Sequence, residues 1–198
     1  MVSRGKAKVL TEQEFKRVLN VMRRLRHAKR NVAMFYVSFG LGLRAKEMAA
    51  LRIKHVLGID GQLLDEIHLT RAMTKGGKQR VVYLANQQVR RAIREYIDER
   101  IEEDGILFNY EAAFFRSQKG GHFSPNTLQQ LFHRLYAWGL MQGASSHSGR
   151  RTFATRLIEK GTDIKAVSTL MGHGSIAMTA QYVEDNPVRL KQICTDVF

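Results

Sequence analysis

The chain has 198 residues, with 32 Lys and Arg against 18 Asp and Glu, a formal charge of +14. Hydrophobic residues make up 44% and charged residues 25%, the mixture of a folded globular chain, which excludes a disordered tail or a collagen-like repeat. The length predicts one domain, and the basic excess predicts a polyanionic partner, nucleic acid first and an anionic membrane surface second. Along the chain, a basic arm (1–9) precedes Leu10-Thr11-Glu12-Gln13-Glu14-Phe15, which reads as a helix start with a Thr11/Glu14 capping box and a Leu10–Phe15 staple. Phe15, Val18, Leu19 and Met22 follow at helical spacing. A run of arginines and lysines then leads into an apolar helix over 32–39, and a third helix begins near Arg44 and carries Met48 and Leu51 inward.

The pattern changes after Val56. Turn glycines, the alternation of Ile67 and Leu69, and a Gly76-Gly77-Lys78 turn before Arg80-Val81-Val82-Tyr83-Leu84 predict a small antiparallel hairpin, with Tyr83 in the core. Asn86 then caps a helix whose stripe is Val89, Ile93, Ile97 and Ile101. Ser124-Pro125 starts another, burying Leu128, Leu131, Phe132 and Leu135. Three shorter helices are expected at 149–160, 163–171 and 176–183. The fold class is mainly α with a small antiparallel β-sheet insertion.

The single cysteine, Cys194, excludes an internal disulfide framework, fits a reducing compartment and removes the thiolates most structural zinc sites use. The apolar stretch 32–43 is too short to span a bilayer, and no apolar secretory segment follows the basic N-terminus. A soluble intracellular protein is expected.

Two segments carry the candidate chemistry: 40–52, containing Gly42-Leu43-Arg44-Ala45-Lys46-Glu47, and 147–182, containing His147-Ser148-Gly149-Arg150-Arg151, Leu170-Met171-Gly172-His173 and Tyr182. Taken singly, each residue has a plain reading: Glu47 neutralises Arg44, and His173 follows a helix end. Together they say more. Arg44 directly follows an apolar run, and Arg150 and Arg151 interrupt an apolar helix, where an unpaired charge is costly. Arginines held near a core and projecting into a cleft suit bidentate recognition of phosphate. Zinc on His147 and His173 lacks a third ligand at suitable spacing.

Gly42-Leu43-Arg44-x-x-Glu47, Thr74-Lys75-Gly76-Gly77-Lys78-x-Arg80, His147-x-x-Arg150, Leu170-x-Gly172-His173 and Tyr182 resemble the boxes of the tyrosine recombinase (phage integrase) family, from about Thr11 to Tyr182. The 23-residue step from Arg150 to His173 and the 9-residue step to Tyr182 match the family's spacing. The commonest second box reads His-x-Leu-Arg-His. This chain has Gly149 in place of the leucine and Arg151 in place of the second histidine, a departure that bears on local packing.

The resemblance implies the tyrosine recombinase catalytic-domain fold and a set of roles, with no metal or other cofactor and no ATP. Tyr182 attacks a phosphodiester of double-stranded DNA to give a 3′-phosphotyrosine link and a free 5′-hydroxyl. A phenol titrating near pH 10 in water, about three pH units above neutrality, needs help to attack, and His147 is the expected proton acceptor. Arg44 and Arg150 clamp the non-bridging oxygens, His173 adds a hydrogen bond to them, Lys75 protonates the leaving oxygen, and Glu47 orients Arg44. Arg23, Arg24, Arg26, Lys78, Arg80, Arg116, Lys119 and Arg151 are candidates for contacts to the DNA backbone, which supply affinity and salt dependence more than sequence choice.

By the same resemblance the chain (1–198) is a catalytic domain without the N-terminal core-binding domain of most relatives, acting in a prokaryotic cytoplasm at the nucleoid. The expected assembly is a homotetramer on two recombination sites, weakly associated or monomeric without DNA, with protomer contacts or an accessory DNA-bending protein compensating for the absent clamp, and with the tail (184–198; Val188, Leu190, Ile193 and Val197) docking on a neighbouring protomer or packing in cis. Two alternatives stand beside it: a type IB-like nicking and rejoining activity, and a catalytically silent DNA-binding regulator.

Overall fold

The computed structural model describes residues 6–74, 76–182, 191, 194 and 195. Lys75 and nearly all of the tail, including Val188, Leu190, Ile193 and Val197, lie outside the described residues.

Helix α1 (Glu12–Met22) starts at Thr11 with both halves of the capping box made: the Glu14 amide donates to Thr11 Oγ1 (3.3 Å) and the Thr11 amide to Glu14 Oε2 (3.0 Å). It buries Val18, Leu19 and Met22. The expected basic arm is partly tied down, since the Lys8 ammonium pairs with Glu14 at 2.6 Å. Helix α2 (Ala28–Gly40) begins four residues earlier than the apolar run, so it takes Arg30 and Asn31 inside. Arg30 is accommodated by the Arg116 carbonyl (2.9 Å) and the Phe123 ring (5.3 Å). Helix α3 (Ala45–Ala50) follows Arg44 directly and buries Met48, with Leu51 just beyond it.

Strands β1 (Glu66–Leu69) and β2 (Arg80–Tyr83) form a two-stranded antiparallel sheet pairing Glu66 with Tyr83 and Leu69 with Arg80. Val82 and Leu84 face the core, and the two-residue period therefore turns Tyr83 outward, 55% exposed, contrary to its expected place in the core. Helix α4 (Gln87–Asp104) is capped by the Asn86 side chain. Its buried stripe runs Val89, Ile93, Tyr96, Ile97 and then Arg100, not Ile101. At that end Arg100 donates to the Ala113 and Phe114 carbonyls and pairs with Asp104, which leaves Ile101 outside, 41% exposed.

Helix α5 (Pro125–Trp138) is capped by Ser124, and α6 (Ser148–Glu159), α7 (Ile164–Met171) and α8 (Ile176–Ala180) complete the described helices. One large hydrophobic core joins α1 to α5 with the sheet, while Ala154, Ile158, Val167 and Met171 form a smaller cluster on which Phe153, Leu157 and Tyr182 rest. No helix among the described residues is long and apolar enough to cross a membrane.

Candidate active site

The site forms where α3, β2, α6 and the end of α7 meet. Its base is Glu47, fully buried, which reaches back to the Arg44 amide (2.7 Å) and the Arg44 guanidinium (3.0 Å). A carboxylate at the third helical position satisfies the otherwise unpaired amide at the helix start and fixes the side chain of the capping residue. The Arg44 side chain keeps 18% of its surface open.

Glu47 has a second cation. The Arg80 guanidinium, on β2, donates to Glu47 Oε2 at 2.6 Å and also to the Leu170 carbonyl. Arg80 is thus turned inward, its side chain 6% exposed, rather than standing at the DNA surface as expected. Gly172 makes room for it: this residue ends α7 in the left-handed region (φ 60°), and a Cβ there would lie 2.5 Å from Arg80 Cδ.

Arg150, on α6, is 3% exposed. It donates to the Gly42 carbonyl (2.7 Å) and to the Met171 carbonyl, so its charge is oriented without being cancelled by these partners. Burial pushes its pKa down to about 9, with Arg44 and Arg80 lowering it further and Glu47 and Tyr182 opposing. Gly149, beside it, packs α6 on α2 so closely that a Cβ would fall 2.1 Å from Ser38 Oγ and 2.9 Å from the Phe39 ring. The departure from leucine at this position is therefore a tight helix contact.

His173 follows Gly172. Its Nδ1 is 2.7 Å from the hydroxyl of fully buried Thr179, and its ring lies 5.6 Å from that of Tyr182, 11° from parallel. Burial, then the charges of Arg150, Arg44 and Arg80, lower its pKa to about 4, leaving a neutral imidazole at neutral pH. Tyr182 is half-buried, its amide bonded to the Thr179 carbonyl at 2.9 Å. His147 is exposed at the start of α6, one turn before Arg150.

The structure thus brings Arg44, Glu47, Arg150, His173 and Tyr182 together in one cluster. Lys75 lies outside the described residues, but the chain before it is anchored, since the Lys46 ammonium donates to the Thr74 carbonyl at 3.0 Å. Of the outer candidates, Arg23, Arg24, Arg26, Lys78 and Lys119 are exposed, and Arg151 is buried in α6. Arg116 pairs with both Glu103 and Asp104. Sequence reasoning missed Thr179, Lys46 and the inward role of Arg80. Only the six-residue step from His173 to Thr179 offered a signal for the first.

The phage integrase family model matches residues 8–189. The chain belongs to the phage integrase family. It is 30% identical over 165 residues to tyrosine recombinase XerC of Pelobacter propionicus, covering 83% of this chain and 50% of that protein. Against XerD of Oceanobacillus iheyensis the identity is 27% over 190 residues, 93% of this chain and 60% of that one. Integrase-family members thus extend well beyond the matched region, and the chain spans about half the length of the curated relatives it matches. The crystal structure of XerA recombinase superposes with a TM-score of 0.76 at 26% identity, over 96% of this chain and 65% of that one. XerH bound to palindromic difH substrate, at 22% identity and a TM-score of 0.73 over 98% of this chain and 54% of that one, shares the fold. The catalytic-domain fold expected for this family is the fold found.

Proposed function

We propose that the chain is a site-specific DNA recombinase that cuts and rejoins double-stranded DNA through a 3′-phosphotyrosine at Tyr182. The observation that carries this is the cluster itself: two oriented guanidiniums, Arg44 and Arg150, stand with a neutral His173 beside a half-buried phenol. The phenol oxygen of Tyr182 bonds to phosphorus as the bond to the 5′-oxygen breaks. The phenolic proton passes to His147, and the departing oxygen takes a proton from Lys75. Arg44 and Arg150 hold the non-bridging oxygens, where charge builds. The neutral imidazole of His173 donates one N–H to the same oxygens. Rejoining reverses these steps and conserves the bond energy, so no ATP is consumed.

Exchange between two duplexes breaks four strands, and each chain offers one Tyr182. A homotetramer on two sites, in the cytoplasm where the DNA lies, follows from that stoichiometry, with an accessory DNA-bending protein to shape the sites. The exposed Arg23, Arg24, Arg26, Lys78 and Lys119 supply backbone contacts. A nicked suicide duplex, selected by covalent capture from a random-sequence pool, tests the activity. Wild type forms a protein–DNA adduct and Tyr182→Phe forms none. A protein that binds a duplex specifically and never links to it is a regulator instead.

A further inference from the structure

The Arg80 side chain is turned inward, 6% exposed. One terminal nitrogen is on Glu47, the other on the Leu170 carbonyl, and its buried Nε has no hydrogen-bond partner among the described residues. Stability alone does not account for this side chain. A buried ion pair is often no better than a well-packed apolar replacement, and here the match is uneven. Arg44 and Arg80 both pair with the single carboxylate of Glu47, and its charge also acts on Arg150. The positive charge of Arg80 is felt at both Arg150 and His173, where it disfavours the protonated forms. The fold also keeps glycine at 172, which leaves the space that Arg80 occupies.

The surplus fits the reaction. A phosphodiester carries one negative charge, and attack by the Tyr182 phenolate brings a second. The transition state therefore holds two as the Oη–P bond forms and the P–O5′ bond breaks, the phenolic proton having gone to the base and a further proton going to the leaving oxygen. Three guanidiniums against one carboxylate leave two net positive charges among the described groups of the cluster. With Arg80 neutral, Glu47 would cancel Arg44 and only one would remain.

We propose that Arg80 is a positioning residue that holds Glu47, and through it Arg44, and that supplies one of the two net positive charges of this described cluster to the transition state. This rests on the recombinase reading and extends it to a side chain that never touches DNA.

The test compares Arg80→Gln, which keeps hydrogen-bonding capacity without charge, with Arg80→Lys, which keeps the charge. Both are measured in single-turnover cleavage at saturating DNA, on the captured nicked duplex and on the same duplex with a neutral methylphosphonate at the scissile position. Removing the substrate charge lowers the demand for positive charge, so a charge role predicts a penalty that depends on the substrate. Arg80→Gln is expected to slow cleavage of the phosphodiester about 100-fold, the size of one missing electrostatic donor, and that of the methylphosphonate less than about 10-fold. Arg80→Lys is expected to lose a similar small factor on both, and it carries the comparison with wild type should the Gln variant not fold. Equal losses on the two substrates for Arg80→Gln, or a phosphodiester-selective loss for Arg80→Lys, overturn the proposal. A wild-type protein that forms no adduct with the pool fails the recombinase reading itself, and the role of Arg80 with it.

Discussion

The imidazole of His173 lies nearly parallel to the phenol ring of Tyr182, 5.6 Å between centroids, and its Nδ1 is 2.7 Å from Thr179 Oγ1. The proposed nucleophile is therefore stacked on the ring proposed to donate to the phosphate, and that ring is pinned from behind by a hydroxyl with no access to solvent. A neutral imidazole carries one N–H. If Thr179 donates to Nδ1, the proton sits on Nε2, the nitrogen left to face an acceptor oxygen.

Thr179→Val, which keeps the shape and removes the hydroxyl, is expected to slow cleavage about 10-fold, the value of roughly one buried hydrogen bond. Thr179→Ser is expected to stay near wild type. Single-turnover cleavage checks the pair, and DNA affinity should not change in either.

Stability should fall as acid approaches His173. Its pKa is lowered from its ordinary 6.5 to about 4, so between these values the unfolded chain binds a proton that the folded chain resists. Stability then rises with pH across that window and is lost as pH falls through it. The partly buried His27 and His55 are shifted the same way. Thermal unfolding from pH 6.5 to 4.5 should show this slope, and His173→Gln should flatten it without removing it.

Gly149→Ala is expected to destabilise the protein by about 2–3 kcal/mol, because the new methyl meets Ser38 and Phe39 across the contact between α2 and α6. Adding Ser38→Gly removes the nearest obstacle and should recover at least half of the loss. Denaturant midpoints of the single and double variants measure it.

The outer arginines divide by their partners. Replacing exposed Arg23 and Arg24 with alanine should reduce the slope of log affinity against log salt by about one for each phosphate no longer neutralised. Arg116→Ala should leave the slope unchanged, since its guanidinium is held by Glu103 and Asp104.

Much of this molecule could be read before its structure. The starts at Thr11, Asn86 and Ser124-Pro125 are local devices, complete within three or four residues, and all three are made. Arg44, Arg150, His173 and Tyr182 were legible because their order and spacing follow a family pattern. Arg80 was not. A basic cluster on a glycine-rich turn resembles a solvated tip, and the carboxylate that draws Arg80 inward lies 33 residues earlier in the chain. Tyr83 and Ile101 failed for a related reason, since period alone does not say where a strand or helix leaves the core. The tight contact at Gly149 depends on Ser38 and Phe39, which no local pattern links to it.

The most direct test is the position of the covalent bond. After trapping with the nicked duplex, nuclease and protease digestion and mass spectrometry should find one modified peptide, carrying a 3′-nucleotide on the Tyr182 oxygen. A link on any other residue, or through a 5′-phosphate, would contradict the assignment of this cleft.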